Sequence, residues 1–179
     1  MIDRQKREIR NQIKELKSQV SFEDKRERSV NVFKQIESIP QFIKSETIML
    51  YWSMIDEVQT HDFIQKWANS KQIILPSVKG DKLELKEFVS IDNLISGESF
   101  GIGEPNGKVF KDLSKIELIV VPGIAFDHQR NRLGRGKAYY DKLLKTTKAY
   151  RIGVCFNFQM IDSIPIDEHD VKMDLIISE

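Results

Sequence analysis

The stretch from Leu118 to Leu144 constrains the fold and the chemistry of this chain more than any other. Residues 118–121 are apolar and predict a short buried strand, which a turn-rich loop follows. A helix is predicted to begin with residues 134–137, Gly-Arg-Gly-Lys. Glycines let a backbone approach a ligand closely, and the N–H groups and dipole of a helix start favour negative charge. This order of elements therefore suits an anion.

Three cations in the same turn strengthen that prediction. Arg132 and Arg135 could each clamp two phosphate oxygens, whereas Lys137 would act as a point charge. A glycine-rich turn before a helix is by itself as typical of ordinary turn chemistry as of phosphate binding. The spacing is neither G-x-x-x-x-G-K-[ST] nor G-x-G-x-x-G, because Tyr139 stands where the third glycine would be. The loop thus predicts a phosphate site outside the P-loop and dinucleotide folds.

Composition limits the kind of protein this is. A length of 179 residues suits one domain, which we assign to 1–179. The 28 Lys and Arg nearly balance 27 Asp and Glu, so no overall field attracts nucleic acid or a membrane. Apolar runs such as Ile48 to Trp52 are too short to span a bilayer, and Cys155, the only cysteine, is expected to be a reduced core thiol. We expect a cytoplasmic monomer that acts on small molecules.

Hydrophobic periodicity predicts alternating helices and strands. Helices are predicted over 3–20, from a cap at Ser21 to near Pro40, over 60–69 and in the central stretch; strands are predicted over 47–53, 72–78, 83–88, 118–121, 149–156 and 172–177. The alternation in 83–88 is typical of an antiparallel edge strand. The pattern predicts a three-layer α/β domain with a mainly parallel sheet, in which ligands bind beyond the carboxyl ends of strands. Trp52 to Glu57, the central loop and the tail around Asp174 are predicted to lie at such ends.

The central stretch carries a family resemblance. Residues 122–144, PGIAFDHQRNRLGRGKAYYDKLL, resemble the signature of the 5-formyltetrahydrofolate cyclo-ligases, also called 5,10-methenyltetrahydrofolate synthetases. That signature reads P-G-x-A-F-D and then R-L-G-R-G-x-G-Y-Y-D, and the departure is Ala138, where the family usually has glycine. Alanine should be comfortable at a helix start. The resemblance implies a Rossmann-like fold with a CoA-transferase-like topology.

The resemblance also implies roles for the loop residues. It makes ATP contacts of Arg132, Leu133, Gly134, Arg135, Gly136, Lys137, Ala138, Tyr139 and Tyr140. Residues 135–139 would also contact the folate, and Arg135 and Lys137 would be catalytic. In the first helix, Lys6 and Arg10 are four residues apart and share one face, which is ordinarily a solvated basic surface. Residues 6–10, Lys-Arg-Glu-Ile-Arg, match the family's K-R-x-[LI]-R element, which implies that Lys6 and Arg10 bind ATP.

Three residues are candidates for the folate side. Residues 57–60, Glu-Val-Gln-Thr, match the family's E-[IV]-x-T element, whose glutamate contacts the folate, although an acidic loop residue is ordinarily just solvated. Trp52 stands at another family contact, although a tryptophan at a strand end is more often core. Phe100 stands where relatives place an aromatic residue beside the folate ring. The resemblance therefore assigns Trp52, Glu57 and Phe100 to the substrate.

Two aspartates are implied as Mg²⁺ ligands by the Y-Y-D and V-K-x-D elements of the family. They are Asp141 and Asp174. Without the resemblance, a pairing of Asp141 with Lys145 and a solvated strand end at Asp174 are the simpler interpretations. The three histidines show no H-x-x-H or H-E-x-x-H spacing, so a transition-metal site is not expected.

The implied reaction is the ATP-dependent, Mg²⁺-dependent conversion of 5-formyltetrahydrofolate to 5,10-methenyltetrahydrofolate, with release of ADP and phosphate. Such chemistry needs positioning and charge neutralisation more than a protein nucleophile. Two alternatives remain. One is a phosphotransferase or CoA-transferase-like protein that acts on another small acid. The other is a non-catalytic nucleotide sensor, or an RNA-binding module that uses the basic first helix.

Overall fold

The computed structural model describes residues 1–96 and 103–179, so Phe100 lies outside the described residues. The helices are α1 (Ile2–Ser18), α2 (Phe22–Glu37), α3 (Pro40–Lys44), α4 (His61–Trp67) and α5 (Tyr139–Leu144). The strands are β1 (Thr47–Met49), β2 (Gln72–Lys79), β3 (Lys82–Glu87), β4 (Leu94–Ser96), β5 (Gly103–Pro105), β6 (Leu118–Pro122), β7 (Ala125–Asp127), β8 (Arg132–Leu133), β9 (Tyr150–Cys155), β10 (Met160–Ile161) and β11 (Leu175–Ser178).

A six-stranded sheet forms the centre of the fold, with the strand order β11-β9-β6-β1-β2-β3. Its neighbouring strands pair in parallel except β3, which runs antiparallel to β2 at the edge. Strand β6 is almost wholly apolar and buried, as expected for a strand covered on both faces. The prediction of a mainly parallel sheet with an antiparallel edge strand is confirmed.

Alternate residues of the strands enter two separate cores, one on each face of the sheet. Leu118 and Val120 of β6 pack with residues of α2, α3 and α4. Ile119 and Val121 face the opposite side, where they pack with residues of α5. Because both faces are covered by helices, the predicted three-layer α/β architecture is confirmed, and the closer likeness to CoA-transferase-like domains stays a prediction.

Helix α1 stands against the carboxyl side of the sheet. Its buried Ile13 packs with Ala125, Leu133 and Ile164, which belong to β7, β8 and the segment after β10. This packing fixes the first helix beside the segment that leads into residues 134–137, the glycine loop. The second helix begins as predicted, because the Ser21 side chain accepts a hydrogen bond from the Asp24 N–H at 3.0 Å.

The structure corrects two predicted positions. Helix α5 begins at Tyr139 and not at Gly134. Gly136 and Ala138 have φ values of +95° and +54°, which a right-handed helix does not contain. Asp174 comes directly before β11, so it lies at the amino end of its strand and not at a carboxyl end.

Two predictions from composition can be compared with the described residues. No helix in residues 1–96 or 103–179 is long and apolar enough to cross a membrane. Cys155 is a free, buried thiol, and its burial raises its pKa to about 12. A thiol with such a pKa stays protonated at neutral pH and is a poor nucleophile.

One close approach in the core gives a stability prediction. The Phe126 ring lies between Gly123 and Gly153, where an added Cβ would come within 2.6 Å and 2.5 Å of ring carbons. We expect Gly153→Ala to lower the free energy of unfolding by about 1–3 kcal/mol, because the ring must move within a close-packed core. Urea unfolding measures this change. In a Phe126→Leu background the same substitution should cost less, and an equal cost in both backgrounds would contradict the account.

Candidate active site

A cavity of about 430 Å³ opens beyond the carboxyl ends of β6, β1 and β2. Its lining includes Trp52 after β1, residues at the end of β2 and the turn after β6. The size is typical of small-molecule sites, and the position is where ligands bind in open parallel sheets. The location beyond the central sheet is thus the one predicted from the alternation of elements.

Most of the predicted site residues meet in this cavity. Those that line it are Lys6, Arg10, Trp52, Glu57, Arg132, Leu133, Gly134, Arg135, Gly136, Lys137, Ala138, Tyr139, Tyr140 and Asp141. Asp174 is not among the lining residues. Segments from the first helix, the first strand and the central loop therefore converge on one space, whereas the two predicted metal ligands do not share it.

The first helix contacts the backbone of the glycine loop. Arg10 Nε donates a hydrogen bond to the Gly134 carbonyl at 2.9 Å, and the positive φ of Gly136 turns the chain sharply. Only glycine adopts that backbone conformation without strain. Because residues 134–137 are loop and α5 has six residues, attraction for an anion rests on the loop's cations and not on a helix dipole.

Ala138 occupies a conformation that suits glycine. It precedes α5 with φ +54° and ψ +17°, in the left-handed region. An L-residue with a Cβ is strained there by about 1–2 kcal/mol. The expectation that alanine would be comfortable at this helix start is therefore wrong, since the residue precedes the helix in a tight turn.

Arg132 is buried at the cavity wall with its guanidinium partly satisfied. One Nη donates to Asp141 Oδ2 at 2.8 Å and the other to the Pro122 carbonyl at 3.3 Å. Its Nε is buried and has no hydrogen-bond partner among the described residues, and the same holds for the Tyr140 hydroxyl. Buried donors rarely remain unpaired in a finished site. Two such donors beside one cavity fit a ligand that supplies acceptor oxygens.

A second charged network joins the loop to the segment after β1. Arg135 donates to Glu57 at 3.0 Å and to Asp56 at 3.3 Å, and Lys17 of α1 donates to Asp56 at 3.1 Å. Burial disfavours charge on Asp56, but Lys17 and Arg135 nevertheless hold its pKa below the usual value. The other Glu57 oxygen accepts the Met54 N–H at 3.0 Å. Glu57 is therefore fixed in place in the free protein.

Lys6 is held by a third pair of contacts. Its ammonium donates to Asp170 at 2.6 Å and to Asp167 at 2.8 Å. Burial opposes the charge of Lys6, yet these two carboxylates raise its pKa. Neither acid was predicted as a site residue, although both belong to the acidic run at 167–170.

Trp52 forms the aromatic wall of the cavity. Its ring stacks on His61 with centroids 3.9 Å apart, and the His61 Nε2 lies 3.1 Å from the Ser53 carbonyl. Burial lowers the pKa of His61, although the Ser53 carbonyl opposes that shift. A neutral imidazole thus packs against one face of the Trp52 ring.

The two predicted metal ligands differ in their surroundings. Asp141 pairs with Arg132 and not with Lys145, so the helical pairing considered from sequence is absent. Asp174 accepts the Arg151 N–H at 2.8 Å. No cluster of three metal-ligating side chains occurs within residues 1–96 and 103–179. Mg²⁺ often takes only one or two protein carboxylates beside phosphate oxygens. Of the two predicted ligands, Asp141 is the one that lines the cavity.

Four residues that were not predicted line the cavity on the side of β2, β3 and β5. They are Pro76, Val78, Leu83 and Glu104, which belong to β2, β3 and β5. No motif marks them, because they reach the cavity only through strand pairing.

The strained turn generates a prediction. Ala138→Gly should raise the free energy of unfolding by about 1 kcal/mol, because the strain relieved, about 1–2 kcal/mol, exceeds the roughly 0.4–1 kcal/mol lost to the greater freedom of glycine in the unfolded chain. Chemical denaturation of both proteins measures the difference. Ala149→Gly, at a buried position outside the turn, should destabilise instead. A loss of stability in Ala138→Gly would contradict the proposed strain.

Comparison with known proteins agrees with these features. The chain matches the 5-formyltetrahydrofolate cyclo-ligase family over residues 2–179. The probable 5-formyltetrahydrofolate cyclo-ligase of Schizosaccharomyces pombe is 31% identical over 84% of this chain and 83% of the relative. The 5-formyltetrahydrofolate cyclo-ligase of Mus musculus is 30% identical over 97% of this chain and 93% of the relative.

Solved structures give the same result. The 5,10-methenyltetrahydrofolate synthetase of Aquifex aeolicus is 34% identical and aligns with a TM-score of 0.86, over 97% of this chain and 89% of that one. The synthetase of Mycoplasma pneumoniae is 25% identical with a TM-score of 0.77, over 96% of this chain and 97% of that one. The chain therefore belongs to the 5-formyltetrahydrofolate cyclo-ligase family.

Proposed function

We propose that this protein converts 5-formyltetrahydrofolate and ATP to 5,10-methenyltetrahydrofolate, ADP and phosphate. The family to which the chain belongs acts in this way. The observation that carries the proposal is the convergence of cations on one cavity that also has an aromatic wall. The converging cations are Lys6, Arg10, Arg132, Arg135 and Lys137. That combination suits a polyphosphate beside a flat ring.

The phosphates of ATP would lie between α1 and the glycine loop. Arg10 already contacts the loop backbone, and Arg132 offers a buried N–H that has no partner in the described chain. Phosphate oxygens would also attract Lys6 and Arg135 away from their carboxylate partners. Binding would therefore exchange internal ion pairs for contacts with the ligand.

The chemistry follows from the poor leaving group of the substrate. The formyl oxygen would attack the γ-phosphorus of ATP, forming an oxygen–phosphorus bond while the bond to ADP breaks. N10 would then attack the formyl carbon and lose its proton, and phosphate would leave with the former formyl oxygen. Arg135 and Lys137 would neutralise charge on the transferring phosphoryl group, which is where electrostatic catalysis acts. No protein nucleophile is required.

The substrate ring would lie on the Trp52 side of the cavity. Glu57 would contact the folate there while it also orients Arg135, since one of its oxygens already accepts from that guanidinium. Phe100 stays a predicted folate contact outside the described residues. The folate and phosphate sides of the site thus share one ion pair.

Bound Mg²⁺ would supply neutralisation of the β- and γ-phosphate charge. Asp141 would hold the ion together with phosphate oxygens, in exchange for part of its contact with Arg132. Asp174 stays a predicted ligand by family resemblance, although its carboxylate contacts a backbone amide. The variants described below separate the two carboxylates.

A titration of the pure protein with ATP, Mg²⁺ and 5-formyltetrahydrofolate tests the proposed function directly. Absorbance of the methenyl product should appear only when all three are present. Release of ADP without methenyl product would favour a phosphotransferase for another acid. Nucleotide binding without either product would favour a sensor.

The phosphate assignment predicts the effect of two loop substitutions. Arg135→Ala and Lys137→Ala should each raise the free energy of the transition state by about 2–4 kcal/mol, which lowers kcat/KM roughly 30- to 1,000-fold. Steady-state kinetics measure the loss, and thermal unfolding checks that the fold survives. Lys148→Ala removes an exposed lysine outside the cavity lining and should leave the rate unchanged. Rates near wild type in both loop variants would reject the phosphate site.

The metal assignment predicts a change in the Mg²⁺ requirement. Asp141→Asn should raise the Mg²⁺ concentration for half-maximal rate, and added Mg²⁺ should partly restore activity, because a charged ligand is lost. Rate measurements across a Mg²⁺ series give this concentration. Asp174→Asn serves as the comparison, and an equal rise there would make it a ligand as the resemblance implies. An unchanged requirement in both variants would show that neither carboxylate serves the metal.

A further inference from the structure

Glu104 is a cavity carboxylate that has no assigned role. It lies on β5, lines the cavity and is half-buried. Five other carboxylates line the cavity: Glu57, Asp141, Asp167 and Asp170 each pair with a lysine or an arginine, and Asp3 is exposed to solvent. Glu104 pairs with no cation among the described residues, and its one side-chain hydrogen bond comes from the Ser77 hydroxyl. A half-buried carboxylate without a cation needs other donors.

The surroundings of Glu104 suit a flat, uncharged ring. Pro76, Val78 and Leu83 line the same end of the cavity with apolar surface. The backbone of Gly103 lies against Trp52, since a Cβ built there would be 3.1 Å from the indole Nε1. An aromatic wall and an acceptor therefore stand side by side, and apolar residues complete the pocket.

The order of elements places this end beside the cationic end. The glycine loop follows β8 and begins near the end of β6, because the Ile124 N–H donates to the Leu133 carbonyl at 2.7 Å. Trp52 follows β1, β2 and β3 come next in the strand order, and β5 packs beside β2. Helix α1, with Lys6 and Arg10, packs on the β7 and β8 side. Phosphates and the carboxylates of a folate tail would be repelled by Glu104 and attracted by the cations. Electrostatics therefore leave Glu104 to a neutral part of a ligand.

Hydrogen-bond chemistry identifies that part. The pterin ring of a reduced folate presents N3–H and a 2-amino group side by side in one plane, which match the two oxygens of a carboxylate. Adenine presents its amino group beside the acceptor N1, which a carboxylate would oppose. The pterin edge thus offers the donors that Glu104 lacks.

We propose that Glu104 is a specificity-determining residue that binds the N3–H and 2-amino edge of the pterin, with Ser77 holding the carboxylate in position. The assignment rests on the proposed function, because it takes 5-formyltetrahydrofolate as the substrate. It differs from the contact of Glu57, whose carboxylate is fixed by Arg135 and the Met54 amide.

Equilibrium binding of 5-formyltetrahydrofolate without ATP or Mg²⁺ tests the assignment by calorimetry. Glu104→Gln should weaken binding on the order of 10- to 100-fold, the range for loss of hydrogen bonds to a charged group. Affinity for ATP, titrated separately, should change less than about twofold. Glu84→Gln is the matched control, because Glu84 lies on β3, pairs with Lys79 and is not among the lining residues. It should bind both ligands like wild type.

An analogue in which methyl replaces the 2-amino group completes a cycle. Wild type should bind the analogue about as weakly as Glu104→Gln binds the natural substrate, and the variant should lose little more. Equal losses from the analogue in wild type and variant would overturn the assignment, as would wild type that binds the analogue as tightly as the substrate. Weakened ATP binding with unchanged folate binding would assign Glu104 to adenine instead. Wild type that forms no methenyl product from 5-formyltetrahydrofolate, ATP and Mg²⁺ would refute the proposed function itself, which is a distinguishable result.

Discussion

The pairing of buried cations with carboxylates from distant segments is the interaction on which the rest of the site depends. Lys6 and Arg132 are buried at the cavity, where an unpaired charge would cost several kcal/mol. Asp167, Asp170 and Asp141 neutralise them, and Asp56 and Glu57 do the same for Arg135. These pairs join α1, the glycine loop, the segment after β1 and the tail. The cations are thereby held in place before a ligand arrives.

This arrangement would let one cavity bind the two unlike ligands of the proposed reaction. The cationic loop follows β8 and begins beside the end of β6, whereas β2 and β3 supply apolar walls and the adjacent β5 carries Glu104. Trp52 stands between these ends at the carboxyl end of β1. A reaction that joins a phosphoryl donor to a neutral ring needs this division, because positioning supplies much of the rate when no protein nucleophile takes part.

Sequence reasoning predicted the features that local patterns control. The buried apolar strand β6, the antiparallel edge strand β3 and the cap at Ser21 each depend on a few neighbouring residues, and each occurs as predicted. The residues of the long central motif meet in the cavity because β8, the loop and α5 follow one another directly.

The features it missed depend on long-range geometry. Lys6 and Asp167 are 161 residues apart, so the acidic run at 167–170 gives no indication that its partner lies in the first helix. Glu104 reaches the cavity only because β5 packs beside β2. The start of α5 was misplaced because Ala138 adopts a left-handed conformation that its residue type disfavours. Tertiary contacts overrode local propensity at these positions.

Transfer of the formyl oxygen to phosphate is the central claim of this account, because the cations are useful only if the phosphoryl group moves. The direct measurement uses 5-formyltetrahydrofolate labelled with ¹⁸O in the formyl group, with ATP and Mg²⁺ in unlabelled water. Mass spectrometry of the released phosphate should find the label there in proportion to the methenyl product formed. Unlabelled phosphate, with the ¹⁸O released to water, would contradict phosphorylation of the formyl oxygen.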